Sequence, residues 1–339
     1  MNRTLLAALA TLAALASSAA PASAQTKTGT AVGQFLLIEP SARITGMGNA
    51  GVSIVDGLQA VYYNPGVIGH LDRYELAFSR ADWLAGIRFD HAAMTVPLGR
   101  WGNAVASVTA LNSGEIEVRT VTQPLGTGER YSVTNVALGV GYGFQITDRV
   151  AAGAQINFVQ ETIWHTSAST FTLNVGTLYQ LSPNGLLIGA SLSNFGTSER
   201  FSGLDLRIDY DNDPSRLGDN NTLPGERYTQ NYSLPQVFRV GLGMPYRLAG
   251  RSRLLVVADV AHPSDNTESA SLGAELTIRE MIALRAGYQS LFQEDSEVGL
   301  TLGAGVQGGL DTFHYRLDYA WADQGRLEAT HRLTVGVTF

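Results

Sequence analysis

Cysteine is missing from all 339 residues, lysine occurs once, at Lys27, and only 16% of the chain is charged. Without a thiol there is no disulfide framework, thiolate zinc site, iron–sulfur cluster or cysteine nucleophile. Charge is scarce, since about a quarter of a folded chain is usual. Yet 45% hydrophobic residues and the lack of a long polar tract exclude disorder. A net charge of −7 with dispersed arginines excludes the concentrated basic face of a nucleic-acid binder. Beyond residue 24 no apolar run reaches the ~18 residues that a membrane-spanning helix requires. Mean hydropathy is near zero, which fits a soluble protein or a polar-lined membrane barrel equally well.

The first 24 residues read as an export signal. Asn2-Arg3 supplies positive charge, residues 5–16 are apolar, and Pro21-Ala22-Ser23-Ala24 offers small residues for cleavage before Gln25. Ala24 precedes Gln25 rather than a cysteine, so no lipid anchor is expected. The exported chain is then periplasmic, released, or inserted in an outer membrane as strands.

From Tyr74 onward the pattern has a period of two, the mark of strands with one apolar and one polar face. Phe313, Tyr315, Leu317, Tyr319 and Trp321 share one face, while Thr312, His314, Arg316, Asp318 and Ala320 share the other. Leu333, Val335, Val337 and Phe339 alternate in the same way with Arg332, Thr334, Gly336 and Thr338. The pattern predicts fourteen strands, at 74–79, 83–96, 103–112, 132–146, 149–161, 169–181, 186–195, 236–246, 253–262, 268–279, 281–290, 297–307, 312–322 and 328–339. Connections after even strands are short, as at Thr147-Asp148, whereas those after odd strands include the long stretches 113–131 and 196–235. Outer-membrane barrels are built with tight turns on one rim and long loops on the other. A soluble β-sandwich has no reason to keep that order.

The polar face carries Arg239, Asp259, Glu275, Arg285, Arg316 and Asp318 on successive strands. Such charges belong in a hydrated or plugged lumen, paired for structural reasons, while the apolar face meets lipid. Phe144, Tyr179, Tyr288, Tyr319, Trp321 and Phe339 fall near strand ends, where interfacial aromatic belts sit. The fold class expected is all-β: a transmembrane antiparallel barrel of about fourteen strands spanning residues 74–339 in the bacterial outer membrane. The terminal Phe339, with apolar residues at alternate positions before it, resembles the signal read by barrel-assembly machinery. Gly336 does not sit where the commonest form of that signal places a glycine.

Between signal and barrel, residues 25–73 contain Ser41-Ala42-Arg43-Ile44-Thr45-Gly46-Met47-Gly48-Asn49-Ala50-Gly51, then Asp56 and Ala60-Val61-Tyr62-Tyr63-Asn64-Pro65-Gly66. Asn64-Pro65 forces a turn, because proline disfavours helix in the residue before it. The stretch resembles the opening of the PorV/PorQ family, within the FadL-like group of fourteen-stranded outer-membrane barrels, with Gly66 replacing the alanine of that family's NPA. The resemblance implies a plug-like segment at the periplasmic mouth or in the lumen, with Arg43, Gly46, Gly48, Asp56, Asn64 and Pro65 as its marked positions.

Three motifs resemble chemistry without its context. G-x-G-x-x-G occurs at Gly46-Gly48-Gly51 and at Gly303-Gly305-Gly308, but neither lies between a strand and a helix as a dinucleotide site requires. Asp209-x-Asp211-x-Asp213 begins like a calcium loop, then places Pro214 where glycine belongs and Asn220 where glutamate belongs. His165-Thr166-Ser167 resembles the His-x-Ser pair of outer-membrane lipid A deacylases, but it sits in a short outer loop and those enzymes are smaller barrels; catalysis would need the two side chains to converge and the imidazole to be oriented. No enzyme activity, cofactor or metal is expected.

Two functions follow from the resemblance. A PorV/PorQ-like protein would be an interaction or shuttle component of type IX-like secretion or surface export. It would engage cargo C-terminal domains or secretion components through outer loops bearing Tyr210, Tyr228 and Tyr232. A FadL-like protein would pass hydrophobic solutes through an apolar pocket and a lateral gap. That gap wants a glycine or proline kink in an early strand, and the third strand, 103–112, has neither. The lumen-facing positions are mostly charged or small rather than apolar. Both features favour the first function.

Overall fold

The computed structural model describes residues 29, 31–182, 185–211, 213, 215, 222–293, 296–310 and 312–339. The export signal at 1–24 lies outside the described residues. Fourteen strands close into one antiparallel barrel in which sequence neighbours are hydrogen-bonded neighbours. They are β1 Glu75–Asp82, β2 Arg88–Pro97, β3 Asn103–Asn112, β4 Val133–Thr147, β5 Val150–Ile163, β6 Thr166–Gln180 and β7 Leu187–Gly196. The other half is β8 Val237–Leu248, β9 Ser252–Pro263, β10 Ser269–Ile278, β11 Ile282–Leu291, β12 Leu300–Leu310, β13 Phe313–Asp323 and β14 Ala329–Thr338. The seam is β14 on β1, from Glu75 opposite Thr338 to Asp82 opposite His331, and the Phe339 N–H extends it by donating to the Tyr74 carbonyl at 2.8 Å.

Each predicted strand is present, and the apolar face of each is the outside. Leu138, Val140, Tyr142 and Phe144 on β4, like Tyr315, Leu317 and Tyr319 on β13, are exposed on the exterior. An apolar band of this kind is a lipid-facing surface, so the molecule is an outer-membrane barrel. Tyr288 and Phe339 are exposed, while Tyr179 and Trp321 are half-buried.

The largest boundary error concerns the first hairpin. Residues 80–82, read as a break, continue β1, and the turn falls at 83–87 because Ala85 and Gly86 both take positive φ, 56° and 75°. Period-two reasoning fails there because Trp83 and Ile87, at the ends of a tight turn, carry strand-like side chains.

In the long outer loop after β7, Ser202–Gly203 adds to the edge of β6, and Arg207–Tyr210 pairs with Leu223–Glu226 as a separate hairpin. The ladders from β2 through β3 to β4 are unbroken. The register shifts at three places elsewhere: near Gln145 in the β4–β5 pairing, between Ala270 and Leu272 in the β10–β11 pairing, and between Leu173 and Val175 in the β6–β7 pairing, where Asn194 has φ 60°.

Residues 31–73 fill the barrel. The segment starts at the long-loop rim, where Ala31 bridges in parallel to Ser233 and the Gly33 N–H donates to Glu161 Oε1 at 3.0 Å. It ends at the short-turn rim, where His70 Nδ1 lies 3.0 Å from Gln145 Nε2. Between them come short helical turns at Gln34–Leu37, Ala42–Thr45, Leu58–Tyr62 and Pro65–His70. Of the two places expected for the segment, the periplasmic mouth and the lumen, it takes the lumen, and it runs there from rim to rim.

Candidate functional site

The segment carries its own core into the polar lumen. Ile44, Met47, Val52, Ile54, Leu58 and Tyr63 are almost wholly buried and pack on a few apolar wall positions such as Val105, Leu178, Leu255 and Val257. The wall alternates polar-in, so most of the apolar surface in this barrel's interior comes from the plug. A view of the lumen from its wall residues alone therefore misjudges it.

The marked plug residues touch the wall directly. Asn64 is fully buried: its Nδ2 donates to the Val52 and Thr177 carbonyls at 2.8 and 2.9 Å, and its Oδ1 accepts from the Gly66 N–H at 2.9 Å. That last bond caps the turn begun by Pro65 at its first helical position. Gly46 lies on Gly303 of β12, where an added Cβ would stand 2.9 Å from the Gly303 Cα. The two G-x-G-x-x-G motifs thus meet each other, and their glycines serve close backbone approach. Gly48 takes φ 67° to fit against the Leu272 carbonyl and the Tyr288 amide.

Arg43 organises the charges. Its guanidinium donates twice to Glu275, at 2.8 and 2.7 Å, and its Nη1 lies 3.2 Å from Asp56 Oδ1. Glu275 stands opposite Arg285 on β11 and accepts from its Nε at 2.7 Å, and Arg285 Nη1 reaches Asp318 on β13 at 2.8 Å. That reach passes over Gly305 of β12, since a side chain there would overlap Asp318 and Arg285. Arg253 adds a longer contact to Asp56, 3.6 Å.

So Glu275, Arg285 and Asp318 form one buried chain with the plug's Arg43. Arg316 is held apart by Gln307 Oε1 at 2.7 Å, and Asp259 accepts from the Val52 N–H at 2.9 Å. Arg239 lies on the other side of the lumen, 3.4 Å from Ser193 Oγ. The predicted charges all face inward, but only half belong to one network. Arg253 and Arg332 were missed, although Arg332 sits on the polar side of the alternation.

Burial would raise the Asp56 carboxyl, but Arg43, Arg253 and Arg316 outweigh it and hold it at about 2 against an ordinary 3.8. A lowered value means the ionised form stabilises docking fully above the ordinary carboxylate value, and that contribution is lost as pH falls through the depressed one. Reactivity of a thiol placed in the plug, for example by Ala50→Cys, is therefore expected to stay flat from neutral pH to about pH 4. It should rise between there and pH 2, read at each pH with an acid-tolerant thiol reagent. A rise already complete above pH 5 would contradict the Arg43–Asp56 assignment.

Near the outer rim the plug divides the lumen lengthwise. On the β1–β6 side, Val32, Phe35, Leu36 and Ile38 pack against Ala81, Phe89, Leu111, Ala137, Val159 and Ala168, and Trp83, Ile87, Phe201 and Tyr232 extend this apolar collar into the loops. Beneath it a cavity of about 40 Å³ lies between apolar plug residues, including Phe35, Leu36 and Leu58, and a neutral polar wall with His91, Asn157 and Asn194. The β7 bulge thus borders this cavity. On the β8–β11 side the lumen stays polar, with a cavity of about 220 Å³. Below the plug a third cavity, about 680 Å³, is lined by Asp56, Glu75, Arg279, His314 and Arg316.

The remaining motifs resolve as loop structure. Asp205 Oδ1 lies 2.9 Å from His165 Nδ1, and Trp164 stacks on the imidazole, but no serine hydroxyl reaches the ring among the described residues. Asp211 and Asp213 accept backbone N–H groups of Asp213 and Ser215 in local turns, whereas Pro214 and Asn220 lie outside the described residues. No three His, Asp or Glu side chains are placed to hold a metal among the described residues.

No protein-family model matches the sequence, and neither does any curated protein. Solved structures do match in fold. The Pseudomonas putida toluene transporter TodX superposes with TM-score 0.56 at 14% identity, covering 89% of this chain and 98% of its own. The Ralstonia pickettii toluene transporter TbuX gives 0.52 at 11%, covering 89% and 97%. A Pseudomonas aeruginosa FadL homologue gives 0.51 at 10%, covering 88% and 98%. At these identities the likeness is one of fold: the chain shares the architecture of FadL-like outer-membrane barrels.

Proposed function

We propose that this barrel is an outer-membrane channel for hydrophobic small molecules, which are captured at the apolar collar and held back by the plug. The observation that carries this reading is the continuous apolar collar. It is a packed cluster that continues from Trp83, Ile87, Phe201 and Tyr232 at the loops through Phe35 and Leu36 of the plug to Phe89, Leu111 and Val159 of the wall. An apolar solute that enters this cluster leaves water for apolar surroundings, which lowers its free energy. TodX and TbuX, which share the fold, are toluene transporters. Of the three register shifts, the one at Asn194 borders the inner cavity, so this is where the wall would part to release a solute held there.

Toluene uptake by cells that depend on this protein tests the reading. Phe35→Asn is expected to lower the uptake rate several-fold while leaving barrel assembly intact, as seen from the gel shift between unboiled and boiled samples. Uptake indifferent both to the protein and to the substitution would remove the proposal.

The second reading, engagement of secreted cargo, rests on the tyrosines of the outer loops. Tyr210 and Tyr228 remain exposed, but Tyr232 packs against Phe201 in the collar. A cargo pull-down that survives collar substitutions would favour it.

A further inference from the structure

The cavity below the plug, about 680 Å³, is within the ~300–1,000 Å³ of small-molecule sites and lies at the short-turn, periplasmic rim. Two half-buried charges of opposite sign line it without pairing: Arg316 on β13 and Glu75 at the start of β1. Arg316 Nε and Nη2 both donate to the neutral Gln307 Oε1, at 3.1 and 2.7 Å, and Nη1 has no hydrogen-bond partner among the described residues. Glu75 Oε1 accepts from the Leu58 N–H at 3.1 Å, and Oε2 has no partner among the described residues.

The two free ends face the same stretch of plug. An added Cβ on Gly57 would stand 3.7 Å from Arg316 Nη1, and the next residue, Leu58, gives its N–H to Glu75. Gly336 of β14, the strand between β13 and β1, keeps the space beside them open, since a Cβ there would meet nothing closer than the Leu76 carbonyl at 3.9 Å. The neighbouring inner carboxylates are engaged: Asp56 by Arg43 and Arg253, and Asp318 by Arg285. At the mouth stand Arg251, Arg279 and Glu280, all exposed.

A guanidinium and a carboxylate that share one opening but miss each other leave a donor and an acceptor for a guest carrying both signs. A simple anion at Arg316 would be repelled by Glu75, and a simple cation at Glu75 would be repelled by Arg316. An α-amino acid carries its carboxylate and its ammonium on one carbon and meets neither repulsion.

We propose that this vestibule binds a zwitterionic α-amino acid, with its carboxylate accepting from Arg316 Nη1 and its ammonium donating to Glu75 Oε2. The site lies across the plug from the apolar collar, and the hydrophobic-channel reading can fail without affecting it.

Equilibrium dialysis of the purified full chain in detergent against isotope-labelled alanine decides the matter. Binding is expected to saturate at one per chain. Propionate, which lacks the ammonium, and ethylamine, which lacks the carboxylate, should each displace the label only at concentrations at least about ten-fold above that of unlabelled alanine. Arg316→Gln should weaken alanine binding by about ten-fold or more, and so should Glu75→Gln, which keeps an acceptor for the Leu58 N–H. Ser271→Ala, in the polar cavity of the outer lumen, should leave it unchanged. Propionate or ethylamine competing as well as alanine would overturn the proposal. So would the absence of saturable alanine binding, an equal loss in Ser271→Ala, or unchanged binding in an Arg316→Gln or Glu75→Gln protein that still shows the gel shift.

Discussion

Arg43→Ala is expected to loosen the lumen segment by about 3 kcal/mol, the low end of the ~3–5 kcal/mol seen when one partner of a buried ion pair is removed. The low end applies because Glu275 keeps Arg285 at 2.7 Å and Arg253 at 3.7 Å. Asp56 also keeps Arg253, so neither carboxylate is left bare. What is lost is the only one of these cations carried by the plug, and with it the bidentate contact between segment and wall. The absence of cysteine makes the measurement clean, since a single introduced thiol has no competitor. In an Ala50→Cys background, with Ala50 wholly buried, labelling should accelerate by roughly a hundred-fold when opening is fast relative to labelling. Ion conductance through planar bilayers should rise in parallel. Unchanged labelling and conductance would mean that the network holds the wall together rather than the plug.

Gly273→Val should displace the segment outright. Gly273 faces the lumen on β10, and a Cβ there would overlap the Met47 carbonyl of the plug. The obstacle is backbone, not the flexible end of a side chain, so the plug must move. Overpacking of this kind typically costs about 1–3 kcal/mol and more where nothing can yield. The barrel ladder between β9, β10 and β11 does not depend on that contact, so the gel shift should persist while the Ala50→Cys thiol becomes reactive. Gly336→Ala is the matched control: this glycine also lines the lumen, but its nearest obstacle is the Leu76 carbonyl at 3.9 Å, an ordinary contact. Equal effects from the two substitutions would show that the segment is not seated on the wall as described.

These two experiments probe what the sequence reveals least. The alternation along β4, β10, β13 and β14 is a local property with a period of two, so strand number, facing and the long-loop rim could all be read without knowing any partner. The resemblance in residues 41–66 marked Arg43, Gly46 and Asn64 as special, and all three do touch the wall. What they touch was beyond reach: Arg43 and Glu275 are 232 positions apart, and Asn64 and Thr177 are 113 apart. Nothing in either stretch specifies the other, except that one offers a guanidinium and the other a carboxylate.

The polarity of the lumen depends on contacts of the same long-range kind. From the wall residues alone the lumen looked too polar for hydrophobic solutes. The apolar lining arrives from Val32, Phe35, Leu36 and Ile38, in a run that reads in isolation as an unremarkable leader. The third strand has no kink, and the ladders on both sides of it are unbroken; one of the register shifts falls at Asn194, where the residue holding positive φ is an asparagine rather than a glycine or proline.

The sequence by itself determined a lipid-facing barrel of fourteen strands, because facing follows from residue period and lipid accepts only closed hydrogen-bonded walls. Tertiary structure alone decided how far the N-terminal segment penetrates and which charges it meets. It also decided that the outer lumen is apolar on one side and polar on the other. Those outcomes depend on which glycines leave room for a backbone across the lumen, a matter of spacing in three dimensions that no period along the chain records.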